Sequence, residues 1–235
     1  MQDRYVGDVG DFGKYGLLRA LGEGKRLGVA WYLHPAAGPV GDGRHTDYLH
    51  RCEEFQHLDG QLFDVMKKLV DSGDRSTKAV EQSGVLGDAV FAADCLDLSN
   101  IRVRGRKTWR DNWFSNAQAA LAGCDLVFAD PDNGLHPDDR FKPTRKESAK
   151  RMPLSEATAL TEGKTGVIYH HNSRRPGGHR SEIRWWMAQL PGCSHAYYWR
   201  RWSSRTFFIL NPGKGIRTRL RLFAERWKEC GELFT

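Results

Sequence analysis

Residues 125–134 read DLVFADPDNG, an apolar run that ends in two carboxylates, a proline, a carboxamide and a glycine. Open α/β sheets present reactive groups at the carboxyl ends of their strands, which is where such a run would end. A carboxylate or an amide at that place can orient water or accept a hydrogen bond from a substrate amine. We therefore take Asp130, Asp132 and Asn133 as candidate catalytic residues.

A second polar cluster ends another apolar segment, GVIYHH at 166–171, which we expect to be a strand. Side chains alternate along a strand, so only one of the two histidines should face a cleft. A histidine there could donate a proton to a departing base, which makes His170 and His171 catalytic candidates. Arg174 and Arg175 follow closely and could grip phosphates.

The same acids raise the question of a metal site. Asp130 and Asp132, with His136 or His170, could hold Mg²⁺ or a transition metal. The chain has no H-N-H pattern, and its five cysteines form no C-x-x-C pair. We therefore expect no metal, and reduced thiols.

Hydrophobic periodicity predicts the elements that would position these groups. The expected strands lie at 28–34, 89–93, 125–130 and 166–171, with two more joined by a Ser-Ser turn within 195–212. The expected helices lie at 11–22, 59–71, 108–123, 154–163 and 179–190, a last one closes the chain, and polar residues 135–153 form an exposed loop. This alternation predicts one α/β domain over 1–235, with a doubly wound, mostly parallel sheet, helices on both faces and a late antiparallel hairpin.

The positive charge is unevenly distributed. The net charge is +7, and the excess follows Ile101, in clusters at 102–110, 170–180, 199–205 and 214–221 that contain several tryptophans. Basic groups beside stacking surfaces suit nucleic acid, and we expect DNA more than RNA as the partner. Alternatively, the charges form a solvated face over core tryptophans. The candidate nucleic-acid contacts are Lys14, Arg174, Arg175, Arg201, Trp202 and Arg205.

No stretch of the sequence approaches the ~20 apolar residues that span a bilayer. The N-terminal residues MQDRYVGDVGD are acidic and lack the apolar segment of a signal peptide. We therefore expect a soluble cytoplasmic protein with no membrane partner.

Two segments, DFGKYGLLRAL (11–21) and WYLHPAAGPVGDG (31–43), resemble class I methyltransferases in their order. The chain looks most similar to the large-subunit ribosomal RNA adenine N-methyltransferases and the three-Cys-motif partner proteins, over about residues 5–45 and 85–212. The resemblance implies an S-adenosylmethionine site. It matches Lys14 to a lysine of those families, Ala37-Gly38 to the glycine-rich turn, and Asp130-Pro131 to the motif that accepts from a target amine. Under this resemblance Gly38, Gly41 and Asp94 would contact the cofactor.

The sequence departs from the family at three places. His34 stands where the family has an acid after the first strand, Val40 stands where a glycine is expected, and Asp132-Asn133 replace the proline and the aromatic residue. Segment 130–133 also resembles, in its chemistry, the water-activating loop of uracil-DNA glycosylases.

These departures favour hydrolytic removal of a base, without a cofactor, from a nucleotide held out of its stack. Asp130 would orient water, Asn133 would contact the base or the water, and a histidine would donate to the leaving base. Two alternatives remain open. One is S-adenosylmethionine-dependent methylation of a base amine, with Asp130 as the acceptor. The other is a catalytically inactive, methyltransferase-like module that only binds nucleic acid.

Overall fold

The computed structural model describes residues 2–35 and 43–235, so Gly38 and Gly41 lie outside the described residues. Within that part of the chain, the central sheet contains β1 (Leu27–Ala30), β2 (Val90–Ala92), β3 (Leu126–Ala129), β6 (Thr165–His171), β7 (Cys193–Trp199), β8 (Arg205–Leu210) and β9 (Gly231–Phe234). Two short strands, β4 (Leu135–His136) and β5 (Met152–Pro153), pair separately.

The strand order of the central sheet is β2-β1-β3-β6-β8-β7-β9. The first four of these strands pair in parallel, β8 is antiparallel to both β6 and β7, and β9 is antiparallel to β7. The predicted α/β fold, with a mostly parallel sheet and a late antiparallel hairpin, is therefore confirmed.

Helices cover both faces of this sheet, as predicted. They are α1 (Val9–Gly22), α2 (Cys52–Phe55), α3 (Gly60–Asp71), α4 (Thr77–Gln82), α5 (Arg106–Ala120), α6 (Leu154–Leu160), α7 (Gly178–Gln189) and α8 (Lys214–Arg226). One hydrophobic core lies between the sheet and α1, α3 and α8, and a second lies between the sheet and α5, α6 and α7. Alternate residues of each strand enter alternate cores, because successive side chains point to opposite faces.

Helix α1 packs unusually close to the sheet. Its N-cap is Asp8, whose carboxylate accepts from the backbone N–H groups of Gly10 and Asp11. Asp11 lies inside the first turn of this helix. A Cβ at Gly10 would overlap the Arg205 guanidinium, so glycine is what permits this close approach.

Two predictions about local structure are corrected. The last helix ends at Arg226, and Gly231–Phe234 forms the strand β9, because the edge of β7 offers backbone partners that a helix end lacks. Residues 135–153 are not simply an exposed loop. They contain the β4–β5 pair and bury Ser148 and Ala149.

In the ranges 2–35 and 43–235, no helix combines the length and the apolar character that crossing a lipid bilayer requires.

Candidate functional site

The order of the strands creates a crevice at the carboxyl end of β1. The chain passes from β1 to β2 on one side and then returns to β3 on the other, which is the kind of reversal where open α/β sheets bind ligands. The backbone N–H of Asp130 donates to Ala30 at 3.1 Å, and that of Leu96 donates to Leu33 at 2.7 Å. The segments that follow β1, β2 and β3 therefore run side by side at this edge.

Strand alternation decides which side of the sheet each candidate side chain faces. Phe128 packs in the core under α1, so Asp130, two residues on, points to the same face. In β6, Tyr169 packs in that core as well, whereas Ile168 packs in the opposite core under α7. His171 therefore shares a face with Asp130, and His170 faces α7.

Asp130 forms a buried ion pair with Lys14. The Nζ atom of Lys14 lies 2.8 Å from Asp130 Oδ2 and 2.7 Å from Asp11 Oδ1. All three side chains are at least 96% buried, since their exposed fractions are between 2% and 4%. The hydroxyl of Tyr15 donates to Asp11 at 3.3 Å. The structure thus joins two carboxylates from distant parts of the chain through one ammonium group.

Burial and the neighbouring charges both shift the pKa values of Asp11 and Lys14. Burial raises the pKa of Asp11 from 3.8 to about 6, against the lowering effect of Lys14, and the carboxylates of Asp8 and Asp130 raise it further. Burial alone would lower the pKa of Lys14, but Asp11 and Asp130 raise it above its ordinary value. A charged lysine is therefore retained in a nearly dry site.

The raised pKa of Asp11 predicts a pH-dependent stability difference from the Asp11→Asn variant. A carboxyl with a raised pKa in the folded chain contributes stability that is complete below pH 3.8 and is lost as the pH rises through about 6. Relative to the variant, the wild-type chain should lose up to about 3 kcal/mol of unfolding free energy between pH 4 and pH 7. Urea unfolding of both proteins across this range measures the difference. A difference that stays flat with pH would contradict the shift.

A small cavity of about 140 Å³ opens beside this ion pair. Its lining is almost entirely polar or aromatic and comprises Tyr5, Asp11, Lys14, Asp130, Asp132, Asn133, Tyr169, His171 and Arg205. Asp132 accepts from Gln2 Nε2 at 2.7 Å and lies 3.4 Å from Lys150 Nζ. Arg205 lies 3.4 Å from Asp8. The predicted residues Asp130, Asp132, Asn133 and His171 are thus brought together.

His170 is held away from this cavity. Its Nδ1 accepts from the Leu135 N–H at 3.0 Å, and its Nε2 lies 3.2 Å from Glu182 Oε1, so the hydrogen-bond network assigns the ring proton to Nε2. Burial lowers the pKa of His170. Burial would raise the pKa of Glu182, but its hydrogen bonds with His170 and Ser173 lower it to about 2. The ring is neutral and fully engaged, which leaves no N–H for a leaving base.

His171 ends β6 at the entrance to the cavity. His171 is exposed as a whole residue. Partial burial of its ring nevertheless lowers its pKa, and the positive charge of Arg205 lowers this pKa further. Its Nδ1 lies 3.5 Å from the Tyr169 hydroxyl. A neutral imidazole at this place can donate or accept one hydrogen bond to a ligand.

The predicted nucleic-acid contacts divide into buried and exposed groups. Lys14 and Arg205 are 2% and 8% exposed, so they can meet only a group that enters the cavity. Arg201 pairs with Glu54, and the ring centre of Trp202 lies 5.8 Å from that of Phe55. Both residues therefore already contact α2. Asp94, the candidate cofactor contact, is exposed after β2. Arg174 and Arg175 are exposed in the loop after β6. Surface contact with a phosphate backbone is therefore open to Arg174 and Arg175.

Three lining residues were not predicted from the sequence, namely Tyr5, Asp11 and Tyr169. For Asp11, the i, i+3 spacing to Lys14 on one helix was a usable signal. For Tyr169, the signal was its two-residue spacing from His171 along a strand. Tyr5 precedes the first helix, and no pattern in the sequence marks it.

The described residues hold no group of three or more His, Cys, Asp or Glu side chains arranged to bind a metal ion. A scan of protein-family models and a search of the curated proteins found no match to this chain.

Proposed function

We propose that the chain is an S-adenosylmethionine-dependent N-methyltransferase that acts on the exocyclic amine of a nucleobase in DNA or RNA. The observation that carries this proposal is the ion pair between Lys14 Nζ and Asp130 Oδ2, at 2.8 Å. The resemblance to class I methyltransferases rests in part on these two residues, which are 116 positions apart in the chain. Their contact supports the idea that they form one site.

This ion pair favours methyl transfer over hydrolysis of the base. Hydrolysis uses a carboxylate whose negative charge stabilises a sugar that becomes positive as the base leaves. The Lys14 ammonium, 2.8 Å away, offsets that charge and would repel a positive sugar. An amine needs only a hydrogen-bond acceptor to orient its N–H, and an ionised carboxylate has about four lone-pair sites for hydrogen bonds. The engagement of His170 also removes one of the two proposed donors to a leaving base.

Two described residues near the crevice, Asp94 and His34, bear on how the cofactor would be held. Asp94 is exposed at the end of β2, beside the backbone contact between Leu96 and Leu33, where it could accept from the adenosine portion. Burial lowers the pKa of His34, so this neutral ring cannot pair with the cofactor's ammonium. Acids of the neighbouring cluster, among them Asp132, would supply the compensating negative charge.

The cofactor would supply an electrophilic methyl group carried on a positively charged sulfur. The chain's own groups would then orient the acceptor. Asp130 would take a hydrogen bond from the base amine, point the nitrogen lone pair outward and accept the proton that this nitrogen loses on methylation. Lys14 would hold the carboxylate in place. Tyr169, a buried residue of the cavity lining, would help to keep water from the reacting nitrogen.

Two measurements test the proposal. Calorimetric titration of S-adenosylmethionine should give micromolar binding that Asp94→Ala weakens. Transfer of labelled methyl groups to nucleic acid should fall at least about 100-fold in Asp130→Asn, with cofactor binding retained. Absence of cofactor binding by the folded wild-type chain would overturn the proposal. Retained binding of nucleic acid without transfer by the wild type would instead support an inactive binding module.

Hydrolytic excision of a base is the second candidate, and one observation favours it. Asp11 lines the same cavity, and its pKa of about 6 lies where a general acid or base works well at neutral pH. Abasic sites in modified duplexes incubated with the wild-type chain, absent with Asp11→Asn, would put this reaction first.

A further inference from the structure

A second and larger cleft, of about 840 Å³, lies next to the proposed reaction site on the α7 side of the sheet. It shares Asn133 and His171 with the small cavity that contains Asp130. A ligand that crosses these two residues would therefore reach both spaces. The volume falls within the ~300–1,000 Å³ typical of ligand clefts, and it is far too small for a double helix.

The charge of this cleft is positive. Arg140, Arg151 and Arg175 line it together with the acids Asp139 and Glu182. Glu182 is already engaged by His170 and Ser173. In the part of the chain that the structure describes, neither Arg151 nor Arg175 has a carboxylate within ion-pair distance, whereas Asp139 lies 3.7 Å from Arg140. An anionic ligand would find cations here that internal acids do not neutralise.

The cleft also contains a stacking platform. The guanidinium carbon of Arg175 lies 4.1 Å from the centre of the Trp185 ring. Trp186 packs edge-on against that ring, with 4.6 Å between the two ring centres. A guanidinium held over an indole is ordered before any ligand arrives, and both groups have planar faces on which a base can stack. Unstacked bases bind proteins by stacking on aromatic rings and on arginine planes.

We propose that this cleft binds the nucleotide that adjoins the target base in single-stranded nucleic acid. Its base would stack on the Trp185–Arg175 platform, and its phosphate would lie among Arg140 and Arg151. The inference rests on the proposed function, because it places the target amine at Asp130 and its neighbour in the cleft beyond Asn133. It adds that the substrate is a single strand, or a duplex opened locally.

Equilibrium binding of a short fluorescent single-stranded oligonucleotide tests the inference without any cofactor. Trp185→Ala and Arg175→Ala should each weaken binding by about 5- to 100-fold, the range expected for loss of one stacked base. Trp185→Phe retains a ring and should bind within a few-fold of the wild type. The matched control is Arg217→Ala, an exposed arginine of α8, which packs on the opposite face of the sheet; this variant should bind within about twofold of the wild type.

The outcomes separate this inference from the proposed function. Unchanged binding by Trp185→Ala and Arg175→Ala overturns the inference, even if the wild type transfers methyl groups. Selective weakening in these variants supports it, even if no transfer is found. Tighter binding of the matching duplex than of the single strand also overturns it. Circular dichroism and thermal midpoints establish that each variant is folded.

Discussion

Replacing Lys14 with methionine is expected to lower the free energy of unfolding by about 3–5 kcal/mol at pH 7. The change removes the one ammonium that lies between Asp11 and Asp130, whose side chains are 2% and 4% exposed. The variant would leave two buried carboxylates close together without the ammonium that joins them. Because methionine fills a similar volume, the loss of stability would come mainly from the missing charge and not from altered packing.

The deficit of Lys14→Met should shrink as the pH falls from 7 towards 4. Burial already raises the pKa of Asp11 to about 6, and removal of Lys14 takes away the main influence that lowers it. A raised pKa in the folded chain costs stability at high pH, and the cost disappears once the carboxyl is protonated in both states. Adding Asp11→Asn to Lys14→Met should therefore recover part of the loss at pH 7.

Lys67→Met is the matched control, because Lys67 pairs with Asp71 at 2.9 Å on the exposed surface of α3. An exposed pair contributes at most about 1 kcal/mol. Urea unfolding of the four proteins at pH 7 and pH 5 makes the comparison. If Lys14→Met lost no more stability than Lys67→Met, the buried cluster would not depend on its lysine.

The second large effect is expected from Arg110→Met, at about 3–5 kcal/mol of unfolding free energy. Arg110 is 1% exposed and binds both carboxylate oxygens of Glu156, at 2.6 and 2.8 Å. It also donates to the carbonyls of Ser148 and Arg151, both at 2.8 Å. The variant would leave Glu156 and two buried carbonyls without this donor.

The Arg110→Met change should affect the proposed substrate cleft as well as the global stability of the protein. Arg110 joins α5 to segment 135–153, which supplies Arg140 and Arg151 to the cleft. We therefore expect Arg110→Met to raise amide hydrogen exchange across 135–153 and to weaken oligonucleotide binding. Lys107→Met, one turn earlier on α5 in an exposed pair with Asp111, should change stability by no more than about 0.5 kcal/mol.

A double variant separates charge from hydrogen bonding at this site. Glu156→Gln retains an acceptor for the Tyr32 hydroxyl, which donates to Glu156 at 2.9 Å, but removes the negative charge. Combined with Arg110→Met, it should cost less than the sum of the two single changes, because no unpaired carboxylate remains. Additive losses would show that the ion pair is not what couples these residues.

The sequence by itself determined most of the strands and helices that form the layered fold. Apolar runs at 125–130 and 166–171 became β3 and β6, and the alternation of elements predicted the layered α/β sheet. These features depend on residue type at short spacing, so local pattern is enough to predict them. The sequence also showed that Asp130 directly follows the apolar run that forms β3.

Tertiary structure decided which of these groups meet. The contact of Lys14 with Asp130 spans 116 residues and depends on the close packing of α1, because Gly10 and Gly13 let that helix lie against Arg205 of β8 and Trp199 of β7. Strand order placed His171 at the cavity and turned His170 towards Glu182, although the two are neighbours in the chain. β9 likewise formed because β7 offered an edge. Such pairings depend on the packing of the whole chain, and the local periodicity of the sequence is not enough to predict that packing.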